Sequence, residues 1–274
     1  MTTDTDSPLS LTALQERRER VFLALAGLFL CAMTLLNVIG ISHFVQLIQA
    51  FTIGGVEIGP MTVAAGVLPY PLTFLCTDLI SELYGKRRAN VMVTIGLCLN
   101  VFILGVMWLI DIAPPAATAL MPPWQAIELA APVGLPNGST LEGTVAMFDL
   151  IYATTTGAVV ASMMAYIAAQ YCDVHVFHWL KQLTGGKHLW IRNNFSTLTS
   201  QLVDSVVVIS VTFGAQFFAG KMTLAVLLGL MGSNYLFKML AALIDTLPFY
   251  VLTARLRRYL ELEPATSVAA ANLR

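Results

Sequence analysis

Residues 69–88 read PYPLTFLCTDLISELYGKRR. The stretch begins inside a long apolar run and ends on three consecutive cations, Lys86, Arg87 and Arg88. Asp78 and Glu82 lie within it four residues apart, a spacing that stacks them on one helix face, one turn from each other. A charged side chain at mid-bilayer costs roughly 2.5–3.5 kcal/mol and is rarely kept there without a function. The segment therefore reads as a membrane span with acid in its interior, closing at the edge of one leaflet.

The composition agrees. Hydrophobic residues make up 57% of the 274 and charged residues 11%, against about 25% charged in a soluble domain. That length holds six spans of about 20 residues with their connections. A net charge of −1 argues against a nucleic-acid partner. Cys31, Cys76, Cys98 and Cys172 all fall in apolar runs with no CxxC pair, so they read as small core residues, neither disulfides nor metal ligands. The start of the chain is rich in Thr, Asp and Ser and reads as disordered, and the apolar run after Arg20 is too long for a signal peptide.

Six spans are predicted, at about 21–45, 58–83, 89–113, 145–172, 194–219 and 222–254. They define a transmembrane domain over 21–258, between a disordered tail over 1–20 and a second tail over 259–274. The connection 46–57 has room for extended backbone. The Pro-rich connection 114–144 has room for a short interfacial segment around Trp124, and the connection at Gly220 is very tight. No internal repeat stands out. The fold class is all-α: a polytopic, six-transmembrane-helix bundle.

Cation placement sets the orientation. Arg17, Arg18 and Arg20 flank the first span, and Lys86, Arg87 and Arg88 follow the second. Lys181, Lys187 and Arg192 join the fourth to the fifth, while Arg255, Arg257, Arg258 and Arg274 follow the sixth. All of these fall on one side. Lys221 lies on the other, and Lys238 is inside the sixth span. Both termini are expected in the cytoplasm.

Polar residues inside the spans form patterns. Asn193, Asn194, Thr197, Ser200, Gln201, Asp204, Ser205 and Thr212 fall in one arc of about 140° at 100° per residue. Such a stripe faces protein or a water-filled cavity, as interhelical glue or as the wall of a pathway. The sixth span aligns Asn234, Lys238 and Asp245. Asp245 is ~10.5 Å along the axis from Lys238, too far for an easy pair, which leaves Asp204 as the lysine's first-choice partner. Ala153, Gly157, Ala161, Ala165 and Ala169 make a small-residue ridge for close helix packing. Gln170, Asp173 and His175 stand near the cytoplasmic edge, and a lone interfacial histidine is usually just solvated.

Asp78, Asp204 and Asp245 thus oppose a single deep cation, Lys238. The surplus acid must be protonated, hydrated or matched by a visiting group. That favours a cationic substrate, one rich in N–H donors, or proton coupling. Enzymatic readings are weak: there is no HExxH, GxSxG or Walker A sequence, and no tight His/Cys/Asp cluster for a metal.

YPLTFLCTDLISELYGKRRA at 70–89 resembles the signature of the queuosine precursor transporter family. ASMMAYIAAQYCDVHVFHWLKQ at 161–182, RNNFSTLTSQLVDSVVV at 192–208, and Lys238 with Asp245 and Pro248 are similar to further blocks of that family. The likeness covers about residues 21–258, departing in the 114–144 connection and both tails. It implies a six-helix importer of 7-cyano-7-deazaguanine or its 7-aminomethyl relative, in the bacterial inner membrane, similar to substrate-binding subunits of energy-coupling-factor transporters. It implies neither a cofactor nor catalysis. The expected substrate-binding residues are Asp78, Glu82, Gln170, Asp173, Asn194, Gln201, Asp204, Lys238 and Asp245, with Tyr70, Phe74 or Tyr235 available to stack on a base. The alternative is a vitamin-binding subunit that works with a separate ATPase, a partner for which the chain carries no positive sign.

Overall fold

The computed structural model describes residues 11–54, 56–58, 60–114, 122–136, 138–184 and 189–262. The chain is mostly helical: α1 (Leu11–Val38), α2 (Tyr70–Tyr84), α3 (Lys86–Asp111), α4 (Met147–Leu183), α5 (Leu189–Phe218) and α6 (Leu224–Tyr259). Five of them, α1 and α3 to α6, contain stretches long and apolar enough to cross a membrane. This is a multi-pass membrane protein.

Two expectations need correction. The second span, predicted over 58–83, is not one helix. Residues Met61–Ala64 form a strand, Ala65–Val67 a 3-10 turn, and α2 has only 15 residues, ~22 Å of helix. The physical cause is in the sequence. Pro69 has no N–H to donate into a helix running through it, and Pro71 suits the first turn of a new one. The first helix begins at Leu11, so residues 11–20 are helical and not a disordered tail; residues 1–10 and 263–274 lie outside the described residues. The all-α reading stands in the coarse sense of a mostly helical chain; among the described residues, four two-stranded antiparallel pairs occupy the two long connections.

In the first connection β1 (Phe44–Ile48) pairs with β4 (Met61–Ala64), and between them β2 (Phe51–Ile53) pairs with β3 (Val56–Ile58). In the second, β5 (Ala126–Glu128) pairs with β8 (Thr144–Ala146) and β6 (Val133–Gly134) with β7 (Thr140–Leu141). A 3-10 turn at Pro123–Gln125 exposes Trp124, as expected of an interfacial segment.

The chain divides into two compact units. One holds residues up to Met33 with Pro71–Gly96 and everything from Ala242; the other holds Thr34–Tyr70 and Leu97–Ala241. The first is built on Phe29, Cys76, Ile80, Ala89 and Met92, with Phe22, Leu25 and Tyr84 around them. Glycine 85, at φ +86°, is the single residue between α2 and α3, a left-handed corner that favours glycine. Arg17 donates to the carbonyl of Tyr259, and Arg18 to those of Leu260 and Glu261, which satisfies backbone groups at the end of α6.

In the second unit α4 packs closely along α5. The α4 ridge is buried at Ala161, Ala165 and Ala169, as its small residues predict. A second close approach joins the end of α1 to the 3-10 turn: Gly66 N–H donates to the Gly40 carbonyl at 2.9 Å. A Cβ on Gly66 would run into the Leu36 carbonyl and the Gly40 backbone. The tight connection at Gly220 is also present. Lys221 N–H donates to the Gln216 carbonyl across Gly220 at φ +70°, which closes the end of α5.

Candidate functional site

The polar stripe of α5 is where the second unit gathers its charge. Ser200, Ser205 and Thr212 are buried on it, while Gln201 and Asp204 are half-buried. From α6, Lys238 donates to a carboxylate oxygen of Asp204. The lysine side chain is 3% exposed and that of Asp204 14%, so both charges are largely withdrawn from solvent. The ammonium also lies 4.4 Å from the ring centroid of Tyr70, a contact worth roughly 0.5–2 kcal/mol depending on desolvation. The Tyr70 hydroxyl in turn donates to Gln201 Oε1 at 3.5 Å. A fourth contact, Tyr235 hydroxyl to the Leu198 carbonyl at 3.4 Å, ties α6 to α5 one turn away.

The local sequence explains the placement. Gln201 and Asp204 are three apart on α5 and share a face. Tyr70 opens α2 because prolines flank it on both sides. Asn234 and Lys238, four apart on α6, also share a face. The result is a carboxylate, an ammonium, an amide and a phenol in contact, away from bulk solvent. A carboxylate can accept about four hydrogen bonds, and one from Lys238 leaves capacity over. The group can therefore take N–H donors from a planar ligand, offer the ammonium to a carbonyl, and supply an aromatic face.

The structure sorts the nine residues expected from sequence. Gln201, Asp204 and Lys238 come together, and the Asp204–Lys238 pairing is present as expected. Asp78, Glu82 and Asp245 belong to the other unit. There Glu82 pairs with Arg257 in the last turn of α6. Asp78 is exposed and interacts electrostatically with Asp245, whose Oδ2 is buried without a hydrogen-bond partner. Gln170 is exposed on α4. Asp173 and Asn194 stand on α4 and α5, but their side chains lie outside the described residues. No cluster able to hold a metal ion occurs among the described residues.

Sequence reasoning placed Tyr70 only among possible stacking groups and gave it no part in the ion pair. It missed a buried amide pair altogether: Asn37 on α1 donates to Asn100 on α3 at 2.8 Å, with both residues almost fully buried. Each is an isolated amide in an apolar run, so no stripe marks it.

A family profile described as "Putative vitamin uptake transporter" matches residues 64–252, a span that contains Tyr70, Gln201, Asp204 and Lys238. A curated protein of Bacillus subtilis (strain 168), named "Probable queuosine precursor transporter", is 27% identical over 195 residues, covering 71% of this chain and 72% of the relative. No solved structure matches. With more than half its length inside the profile and five helices fit to cross a bilayer, this chain is a membrane transporter and belongs to the vitamin uptake transporter family.

Proposed function

We propose that the protein imports a 7-deazaguanine precursor of queuosine, 7-cyano-7-deazaguanine or the 7-aminomethyl form, across the bacterial inner membrane for tRNA modification. The observation that carries the reading is the Asp204–Lys238 pair with Gln201 and Tyr70 around it, inside the region shared with the family. A guanine-like edge presents a ring N–H and an exocyclic amine side by side, which one carboxylate accepts together. The neighbouring ring carbonyl is a partner for Lys238, and the Tyr70 ring offers a face to stack on. The name of the Bacillus relative supports the same substrate.

The cation distribution supports a cytoplasmic location for both termini. Six crossings then require α2, extended by the strand and 3-10 turn before it, to complete the second passage. An ATPase partner is not needed for this reading.

The test uses a bacterial strain unable to make the deazaguanine. The chain should restore queuosine in tRNA at low external precursor, and the double variant Asp204→Asn with Lys238→Met, which strands no charge, should abolish the rescue at unchanged membrane abundance. If the intact chain, present at normal level, restores no more than an empty vector, the substrate is wrong.

A further inference from the structure

Two buried polar groups stand one turn from Lys238 and one residue from Asp204 along their helices and take no part in the ion pair. Asn234 is 4% exposed, and its side-chain carbonyl oxygen has no hydrogen-bond partner. Ser205 is 0% exposed, and its hydroxyl has none either. Asn234 precedes Lys238 by one turn on the same face of α6, and Ser205 follows Asp204 on α5. Buried polar atoms are nearly always matched, because leaving one unmade costs its full desolvation.

The serine shows that the vacancy is not forced by helix geometry. A hydroxyl in a helix can bond back to a carbonyl one turn earlier. On α5 itself Thr199 does so to Phe195 at 2.8 Å, and Ser200 to Thr197 at 3.0 Å. Ser205 does not, although it is the more deeply buried. Two orphaned groups beside a buried ion pair are what a site looks like when its third partner is a ligand.

We propose that Asn234 is a specificity-determining residue, taking an N–H of the bound base beside the Asp204 carboxylate, with the Ser205 hydroxyl as a supporting contact. The inference rests on the deazaguanine reading above. An exocyclic amine has two hydrogens. One goes to Asp204 together with the ring N–H, and the other is then free for the Asn234 oxygen. A base with the same ring and carbonyl but no amine leaves Asn234 unmatched. Asn234 therefore adds to a preference for amino-bearing bases that Asp204 begins, while the ring N–H on Asp204 and the carbonyl on Lys238 serve both kinds.

The experiment titrates the full-length protein, purified in detergent, with 7-deazaguanine and with 7-deazahypoxanthine, reading Kd from thermal stabilisation. The wild type should bind the amino base at least tenfold more tightly. Asn234→Leu removes an unmatched buried carbonyl, so without ligand it should melt no lower than the wild type. Its preference for the amino base should fall at least threefold below that of the wild type, the remainder being the amine hydrogen held by Asp204. Ser205→Ala should weaken both bases about equally, by a few fold. If Asn234→Leu does not fold, Asn234→Ala carries the same test. An Asn234 variant with the full tenfold preference overturns the inference alone. So does failure of both variants to fold, which would assign Asn234 to packing. A wild type stabilised by neither base overturns the functional reading and this inference together.

Discussion

Lys238 and Asp204 are 34 positions apart in the chain and meet as a buried ion pair between α6 and α5. Removing one partner leaves the other charge buried and unpaired, a loss of about 3–5 kcal/mol. Asp204→Asn and Lys238→Met should therefore each lower the melting temperature of the detergent-purified protein sharply. The double variant should be more stable than either single one. Strictly additive losses would show that the two are not energetically coupled.

The Asn37–Asn100 pair should behave the same way on a smaller scale. Hydrogen bonds between membrane helices average ~0.6 kcal/mol and reach about 1.7. Each single change to Leu strands the remaining amide, and the double change removes both. A double-mutant cycle on unfolding should return a coupling of about 0.5–1.5 kcal/mol. A coupling near zero would mean that the contact is incidental.

Gly66 and Gly27 make a contrasting pair. A Cβ at Gly66 meets backbone of the α1 terminus, whereas one at Gly27 meets nothing within 4 Å. Gly66→Ala should cost about 1–3 kcal/mol, the range for overpacking a tight contact. Gly27→Ala, on an open helix face, should be neutral or stabilising by up to about 1 kcal/mol. Equal melting temperatures for the two variants would contradict the close approach of Gly66 to Gly40.

Topology is tested by fusions. A reporter active only in the cytoplasm should work at the C-terminus and stay silent when inserted in the 114–144 connection. The reverse pattern would place the cation-rich loops outside and sink the proposed orientation.

The long helices were readable because their apolar runs outlast the few residues that oppose them, such as Pro248, Lys238 and Asp245 within α6. The span drawn over 58–83 failed because a hydropathy window counts apolar atoms and is blind to Pro60, Gly66 and Pro69, which decide the backbone. The Asp204–Lys238 pair could be anticipated, since each was a deep charge without a partner on its own helix. Asp78 and Asp245 were equally visible as deep acids, but counting charges does not say which compact unit a residue joins. Asn37, Asn100 and the orphaned oxygen of Asn234 lie beyond sequence patterns of any kind. Their meaning depends on which polar atoms across the interface are, or are not, in reach.

The corner at Gly85 starts α3 directly on Lys86, Arg87 and Arg88. Cations there oppose the helix macrodipole, at about 0.3–1 kcal/mol each. Arg88 is answered within the protein, by Glu19 at 2.8 Å and by the rings of Phe22 and Tyr84. Arg87 is exposed and has only its surroundings. An anionic leaflet attracts such a residue by about 1 kcal/mol, enough to outweigh the dipole; a neutral detergent does not. In an anionic leaflet the first turn of α3 would be held partly by lipid charge. Amide exchange at its N-terminus should be faster in neutral micelles than in anionic nanodiscs, while the middle of the helix stays unchanged.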